Sequence, residues 1–274
     1  MENKIVFSIF VDIPEERLDN PGWWENGIQV TTDKSKVTKL ALLNNAERIQ
    51  ESQRKYANSI GADYRLFQYD DYYKMFFNKI TVDYPEISEY DIINFLKHRV
   101  MRDLADEYKY VCYIDFDVIP NTNDCIFAAH NVDKMLAVAE MNRLAIRGKV
   151  IKAENYNACI RNPASKYWNT HALLMEEGFD PENDVFNTGI MAGSSEVIKR
   201  LDYFKDFDYI IKLMTQVKHD EFSMYPNNIQ RVFNYDNETV FSFWIKSRQI
   251  EIQYINKLWH WIVDETITEP KHID

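Results

Sequence analysis

The sequence predicts an α/β protein with a Rossmann-type central sheet that is mostly parallel and flanked by helices. Three apolar segments, residues 4–11, 62–67 and 109–116, have the length and composition of buried strands. Amphipathic helical patterns at 44–60 and 89–107 separate them. Strands that alternate with helices along a chain are typical of a parallel sheet covered on both faces.

The elements of the first half are bounded by residues that end regular structure. Asp12 and Pro14 close the first apolar run, KIVFSIFV. Gly61 follows the first helical pattern, where a residue in the left-handed conformation often ends a helix. In the second helical pattern, apolar residues recur every four positions from Ile92 to Leu104. These boundaries predict a strand–helix–strand unit that is then extended by a second helix and a third strand.

The second half of the chain shows weaker patterns of the same kind. They predict strands at 135–141 and 184–194, helices at 164–178 and 195–204, a solvated helix within 202–222, and a helix followed by a strand within 241–255. No repeat, low-complexity stretch or linker interrupts the pattern. Residues 1–274 are therefore interpreted as a single domain.

Charge and glycine content exclude several classes of binding protein. Acidic residues outnumber basic ones by 43 to 32, which gives a net charge of −11. This balance disfavours strong nonspecific binding to nucleic acid or to an anionic membrane. The chain has 7 glycines and contains neither G-x-G-x-x-G nor G-x-x-x-x-G-K-[ST]. Dinucleotide-binding glycine loops and P-loop phosphate cradles are therefore excluded.

The apolar segments of the chain are all too short to span a bilayer. The apolar run near the N-terminus is followed by no small-residue cleavage site, which argues against a signal peptide. We therefore expect a cytoplasmic protein of a bacterium, or one encoded by a virus and present in the host cytoplasm.

Two aspartates, Asp115 and Asp117, follow the third strand in the segment YIDFDVIP. Ligands of open α/β sheets bind outside the carboxyl ends of the strands. Carboxylates two positions apart at such an end can converge on Mg²⁺ or Mn²⁺, whose remaining ligands are waters and substrate phosphates. A bare Asp-x-Asp also occurs in solvated turns, but the strand before it and Val-Ile-Pro after it favour a metal site.

YIDFDVIP resembles the Asp-x-Asp signature of the GT-A glycosyltransferase superfamily. Other segments resemble that family in the same order over residues 4–260. KIVFSIFVDIP is similar to its first strand, Lys97-His98-Arg99 to the basic stretch of the helix before Asp-x-Asp, and FNTGIMAGS (186–194) to its N-x-G strand. NETVF (237–241) is similar to its Asp-Glu-x-x-Phe segment, with Asn237 where Asp is usual. Asp-x-Asp and N-x-G are the specific motifs of this set.

The resemblance implies a GT-A-like, metal-dependent glycosyltransferase that moves a sugar from a nucleoside diphosphate sugar, most often a UDP-sugar, to a hydroxyl acceptor. Residues 4–120 would be the nucleotide-binding half and 121–274 the donor-sugar and acceptor half. The implied ligands of Mn²⁺ or Mg²⁺ are Asp115, Asp117 and His260, with Asp115 also facing the donor. The implied donor-binding residues are Phe10, Val11 and Asp12 at the base and ribose, Lys97 and Arg99 near the diphosphate, and Asn187 and Gly189 at the donor sugar. The implied catalytic residues are Asn187 and Glu238, with Glu238 as the base of an inverting reaction.

Several of these residues also have structural alternatives. His260 lies between two tryptophans and could be a core histidine. Glu238 could stabilise the first turn of a helix through its charge. Lys97 and Arg99 could lie on a solvated helix face. Whether the reaction inverts or retains the anomeric configuration is open, as are the oligomeric state and the acceptor, which could be a glycan, a protein or a modified DNA base.

Three other functions also stay open at the level of sequence. A phage-type glycosyltransferase acting on hydroxymethylated DNA bases is opposed by the negative net charge. A sugar nucleotidyltransferase would use a related fold, but such enzymes usually carry a glycine-rich loop after the first strand, and IFVDIPEERLD has none. A non-catalytic carbohydrate-binding protein would bind neither Mn²⁺ nor a nucleotide-sugar.

Overall fold

The structure is a computed structural model of the chain, and its central feature is a six-stranded sheet. It describes residues 3–14, 23–25, 28–30, 34–139, 163–180, 185–219, 235–255 and 259. The strands are β1 (Lys4–Ile9), β2 (Trp23–Glu25), β3 (Ile28–Val30), β4 (Asp63–Phe67), β5 (Tyr110–Ile114), β6 (Met135–Ala139), β7 (Phe186–Ser194) and β8 (Ile252–Tyr254). The sheet has the order β4-β1-β5-β7-β6-β8, and β2 and β3 form a separate antiparallel pair.

Five strands of the sheet run in one direction and β7 runs against them. β1 is parallel to both β4 and β5, and β8 is parallel to β6. β7 lies between β5 and β6 and is antiparallel to both. The predicted fold class, a mostly parallel sheet flanked by helices, is confirmed. The sheet draws strands from both predicted halves of the chain.

Helices cover both faces of the sheet. They are α1 (Lys34–Ser59), α2 (Asp71–Asp83), α3 (Glu89–Glu107), α4 (Ile126–Ala129), α5 (Pro163–Glu176), α6 (Ser195–Leu201), α7 (Phe207–His219) and α8 (Asn237–Ser247). Successive side chains of β1 point to opposite faces. Ile5 and Phe7 pack with α3, and Val6 packs with α1 in a second apolar cluster. None of the helices in the described ranges is long and apolar enough to cross a membrane.

Most predicted elements are present, with shifted ends. α3 has the predicted limits, and Ser88 caps it by accepting a hydrogen bond from the backbone N–H of Asp91. α1 begins at Lys34 rather than at residue 44. Gly61 follows α1 with φ of +65°, as its predicted role at the end of the helix requires. The predicted strand at 135–141 is β6, and residues 140 and 141 lie outside the described residues.

One helix was not predicted, and the predicted character of another was wrong. α2 was not predicted, although Asp70 caps its N-terminus and Tyr73 and Ile80 are buried seven positions apart, which is a helical spacing. The predicted solvated helix within 202–222 is α7, and it is amphipathic rather than solvated. Ile210, Met214 and four other residues of α7 are buried, because they form one apolar face that packs into the core.

Candidate functional site

The Asp-x-Asp segment lies at the carboxyl end of β5, between β1 and β7. β5 ends at Ile114, and the backbone N–H of Asp115 donates a hydrogen bond of 2.7 Å to the carbonyl oxygen of Gly189. The backbone N–H of Val118 then donates to the carbonyl oxygen of Asp115 at 3.0 Å, which closes a turn. Asp117 lies inside this turn and is exposed. β7 thus brings the N-x-G segment next to the Asp-x-Asp segment.

The carboxylate of Asp115 has two partners from inside the protein. The hydroxyl of Tyr113 donates to its Oδ1 at 2.6 Å, and the ammonium of Lys97 lies 3.5 Å from the same oxygen. Burial, followed by the charge of Asp115, raises the pKa of Tyr113 well above its usual range. The hydroxyl therefore stays protonated and acts as a donor. Asp115 keeps 39% of its side chain exposed, so it can also contact a ligand.

Lys97 is a buried cation. Its side chain is 3% exposed, and its ammonium donates to the hydroxyl of Thr188 at 3.1 Å and to the Thr188 carbonyl oxygen at 3.4 Å. The ammonium also lies 5.0 Å from the centre of the Tyr113 ring, a cation–π distance. α3 therefore places one positive charge directly beneath the Asp-x-Asp segment.

The pKa of Asp117 lies above the ordinary value of an aspartate. The protein that surrounds it on its inner side removes water, and the negative charge of Asp115 acts in the same direction, so the pKa of Asp117 is raised. Its own backbone N–H and the charge of Lys97 oppose the shift. Mutual repulsion between two neighbouring carboxylates is relieved by a shared cation. The electrostatics of this pair therefore favour binding of a positive ion.

A buried polar network joins the site to α8. The backbone N–H of Thr188 donates to Oε1 of Glu238 at 3.0 Å, and its hydroxyl donates to Oδ1 of Asn237 at 2.8 Å. Nε2 of His98 lies 3.2 Å from the same Asn237 oxygen. Glu238 and Asn237 are each 5% exposed. Thr188, the middle residue of the N-x-G motif, thus connects Lys97 with the start of α8.

Asn187 and Gly189 lie beside Asp115, and they form a hydrogen bond with each other. Oδ1 of Asn187 accepts a hydrogen bond of 2.8 Å from the backbone N–H of Gly189. Asn187 is partly exposed, in contrast to the buried Thr188. Because its oxygen is engaged, the NH₂ group is the part of Asn187 that can donate to a ligand.

The three residues predicted at the base and ribose follow β1. The ring of Phe10 stacks on that of Phe116, with 4.4 Å between centroids and 17° between planes. Val11 is partly buried against the core. Asp12 is 51% exposed and forms an ion pair of 2.8 Å with Lys39 of α1. Phe10 thus touches the residue between the two aspartates, whereas Asp12 is engaged by α1.

Arg99 is not brought into this group. It is half-exposed, and its Nε donates to Asp103 at 3.0 Å one turn along α3. Asp103 also accepts from the hydroxyl of Tyr72 at 2.6 Å. Lys97 and Arg99 therefore serve different surfaces of the same helix. His260 lies outside the described residues, and within those residues no group of three or more His, Cys, Asp or Glu side chains could hold a metal ion.

Three residues of the site were not identified from the sequence. Tyr113 and Thr188 contact Asp115 or Lys97, and Gln53 of α1 contacts the backbone that follows β5. Gln53 had a recognisable signal. It interrupts the apolar face of α1 between Ile49 and Tyr56, at a position where a helix that packs on a sheet normally carries an apolar residue.

A separate cleft of about 400 Å³ lies near the far end of α8. Its walls include Trp244 and Arg248, and the Arg248 guanidinium is 3.6 Å from the centre of the Trp244 ring. Asn237 and Glu238, which contact Thr188, lie at the opposite end of the helix. None of the residues that line the cleft belongs to the predicted site.

No protein-family model and no curated protein matches this sequence. Among solved structures, the chain is similar to the galactosyltransferase LgtC in complex with donor and acceptor sugar analogues. The identity is 12% over 93% of this chain and 73% of that one, with a TM-score of 0.44. It is also similar to the bifunctional glycosyltransferase WbbM in its apo form, with 12% identity over 94% of this chain and 39% of that one and a TM-score of 0.39. At this identity and these TM-scores, neither likeness assigns an activity to this chain.

Proposed function

We propose that this chain is a glycosyltransferase of the GT-A type. It transfers a sugar from a nucleoside diphosphate sugar, with a UDP-sugar as the expected donor, to a hydroxyl group of an acceptor. The observation that carries the proposal is the pair Asp115 and Asp117 at the carboxyl end of β5, next to the N-x-G segment of β7. This is the edge of an α/β sheet where ligands bind.

The residues present fit a divalent metal ion. Asp115 and Asp117 supply carboxylate oxygens, which Mn²⁺ and Mg²⁺ prefer. Desolvation and, after it, the negative charge of Asp115 raise the pKa of Asp117, and a bound cation would offset the second of these effects. We assign both aspartates as ligands and keep His260 as the predicted third. When bound, the ion would neutralise charge on the departing diphosphate.

Lys97 has a different role in this proposal from the one expected. Its ammonium is enclosed and held by Thr188 and Asp115, so it acts on the carboxylates rather than reaching out to a phosphate. It holds the Asp115 carboxylate in place, together with the Tyr113 hydroxyl. We assign Arg99 no contact with the diphosphate, because its guanidinium pairs with Asp103 on another surface of α3.

The remaining residues are assigned to the donor and the acceptor. Phe10, Val11 and Asp12 border the base and ribose, with the stacked rings of Phe10 and Phe116 forming an apolar wall. Asn187 donates from its NH₂ group to a sugar hydroxyl, and Gly189 allows close approach of the sugar to the backbone. We keep Glu238 as the catalytic base, although reaching an acceptor requires it to release Thr188.

A thermal-shift screen with UDP-, GDP- and CMP-sugars, each with and without Mn²⁺, tests the proposal. At about a hundredfold excess over Kd, UDP with Mn²⁺ should stabilise the fold by about 2–3 kcal/mol. The double variant Asp115→Asn/Asp117→Asn should lose this shift. Asp83→Asn, a change in the exposed ion pair with Lys79, is the matched control and should keep it. Melting temperatures that no nucleotide changes would refute the proposal.

A further inference from the structure

We infer that Gln53 is a positioning residue for the metal-binding aspartates, an inference that rests on the proposed function. Its side-chain amide lies 3.1 Å from the carbonyl oxygen of Asp115, 3.3 Å from that of Phe116 and 2.9 Å from that of Val118. These three carbonyl groups flank Asp117 on both sides. One side chain therefore fixes the backbone from which both carboxylates project.

The orientation of the Gln53 amide is determined by its surroundings. All three neighbouring groups on one side are carbonyl oxygens, which only accept, so the NH₂ group must face them. On the other side, the Tyr64 hydroxyl donates to Oε1 at 2.9 Å. Burial raises the pKa of Tyr64 to about 12, so this hydroxyl remains a donor. Every polar group of the Gln53 side chain thus has a defined partner.

The position of Gln53 indicates that it does more than fill space between α1 and the sheet. Its side chain is fully buried on the face of α1 that otherwise packs through Ile49, Tyr56, Ala57 and Ile60. An apolar residue would fill the same space in this face. The amide adds two N–H donors that three backbone carbonyl groups after β5 share, and buried carbonyl groups need such partners.

Tyr56 extends the same contact between α1 and the segment after β5. Its hydroxyl donates to the carbonyl oxygen of Asp124 at 3.2 Å and accepts from the backbone N–H of Ile126 at 3.3 Å. Tyr56 therefore anchors the end of that segment, and Gln53 anchors its beginning, which carries the aspartates. Outer residues that orient metal ligands in this way affect metal affinity directly.

The test measures Mn²⁺ affinity in the presence of UDP by electron paramagnetic resonance of the free ion, which requires no turnover. Gln53→Met keeps the length of the side chain and removes its donors. We expect Mn²⁺ affinity to fall by about 10- to 100-fold, the range for residues that orient metal ligands. Gln53→Glu should have at least this effect, because it places a carboxylate oxygen against the three carbonyl groups.

Ile49→Ala is the control for lost stability. Ile49 lies one turn earlier on the same buried face of α1, and its truncation should lower the melting temperature without changing Mn²⁺ affinity. If Gln53→Met does not fold, Tyr64→Phe decides, because it removes only the hydroxyl that holds Oε1 and should still weaken Mn²⁺ binding. Wild-type Mn²⁺ affinity in the folded Gln53 variants, or in Tyr64→Phe if they do not fold, would overturn the inference and leave the proposed function intact. A wild-type protein that binds no Mn²⁺ with UDP would overturn both.

Discussion

Replacement of Lys97 by Met should cost stability that Mn²⁺ restores. Lys97 is enclosed, and its ammonium lies 3.5 Å from Oδ1 of Asp115. At an effective dielectric constant of about 20, unit charges at this distance attract by about 5 kcal/mol. Two effects reduce this value: Asp115 is partly exposed to water, and the variant no longer buries the charge of Lys97. We therefore expect the free energy of unfolding to fall by about 2 kcal/mol.

The same carboxylates should bind Mn²⁺ more tightly in this variant, because a competing cation has been removed. If the ion replaces all of the lost attraction, about 2 kcal/mol corresponds to an affinity gain of up to about 30-fold. Urea denaturation of both proteins, in EDTA and in saturating Mn²⁺ without nucleotide, measures how much stability the variant loses under each condition. The difference between wild type and Lys97→Met should shrink when Mn²⁺ is present.

Lys199→Met is the control for this experiment. Lys199 pairs with Asp106 at 2.7 Å, but both side chains are exposed, so the change should leave the stability nearly unchanged and show no dependence on Mn²⁺. An equal loss for Lys97→Met in EDTA and in Mn²⁺ would refute the reasoning, because Lys97 and the ion would then not act on the same carboxylates.

Three further changes test the site and the fold. Asp117→Asn should abolish Mn²⁺ binding and sugar transfer. It should also stabilise the protein near neutral pH, by less than about 1 kcal/mol. The reason is that an aspartate whose pKa is raised in the folded state destabilises the fold once the pH rises through that pKa. A variant that is less stable in urea than the wild type would contradict this. Glu238→Gln should lower kcat by about 10²- to 10⁴-fold with little loss of stability, and wild-type kcat would leave Glu238 as an anchor for Thr188 only. Gly193→Ala should destabilise the protein by about 1–3 kcal/mol, because its Cβ would lie 2.7 Å from Cγ1 of Val197; an unchanged urea midpoint would contradict this.

Local patterns predicted the six strands of the central sheet and most helices, because each depends on residues close in sequence, whereas β2 and β3 were not predicted. β5 and the position of Asp115 after it follow from an apolar run that ends in a carboxylate. The reversal of β7 could not be predicted, since a strand pattern contains no information about its direction. The burial of α7 was open to prediction from its apolar spacing, but the lysines, aspartates and tyrosines of the wider segment 202–222 suggested a solvated helix.

The partners of the site residues were less predictable than their positions. Lys97 and Arg99 look equivalent in the sequence, yet a rotation of about 200° around the helix axis separates residues two positions apart and sends them to different surfaces. Gln53 lies 62 residues from Asp115, so its contact depends on how α1 packs on the sheet. Glu238 was predicted by resemblance, and only the structure reveals its hydrogen bonds to Thr188.

The reversed direction of β7 has a consequence for how specificity can change in the proposed enzyme. Because β7 runs against its neighbours, its first residues, and not its last, meet the end of β5. Asn187 and Gly189 therefore belong to a stretch of chain that is separate from the loops following the parallel strands. In the proposed enzyme, substitution of Asn187 would alter contacts to the sugar without changing the loops that follow β1 and β5. Thr188 and Gly189 are less free to change, because they contact Lys97 and Asp115.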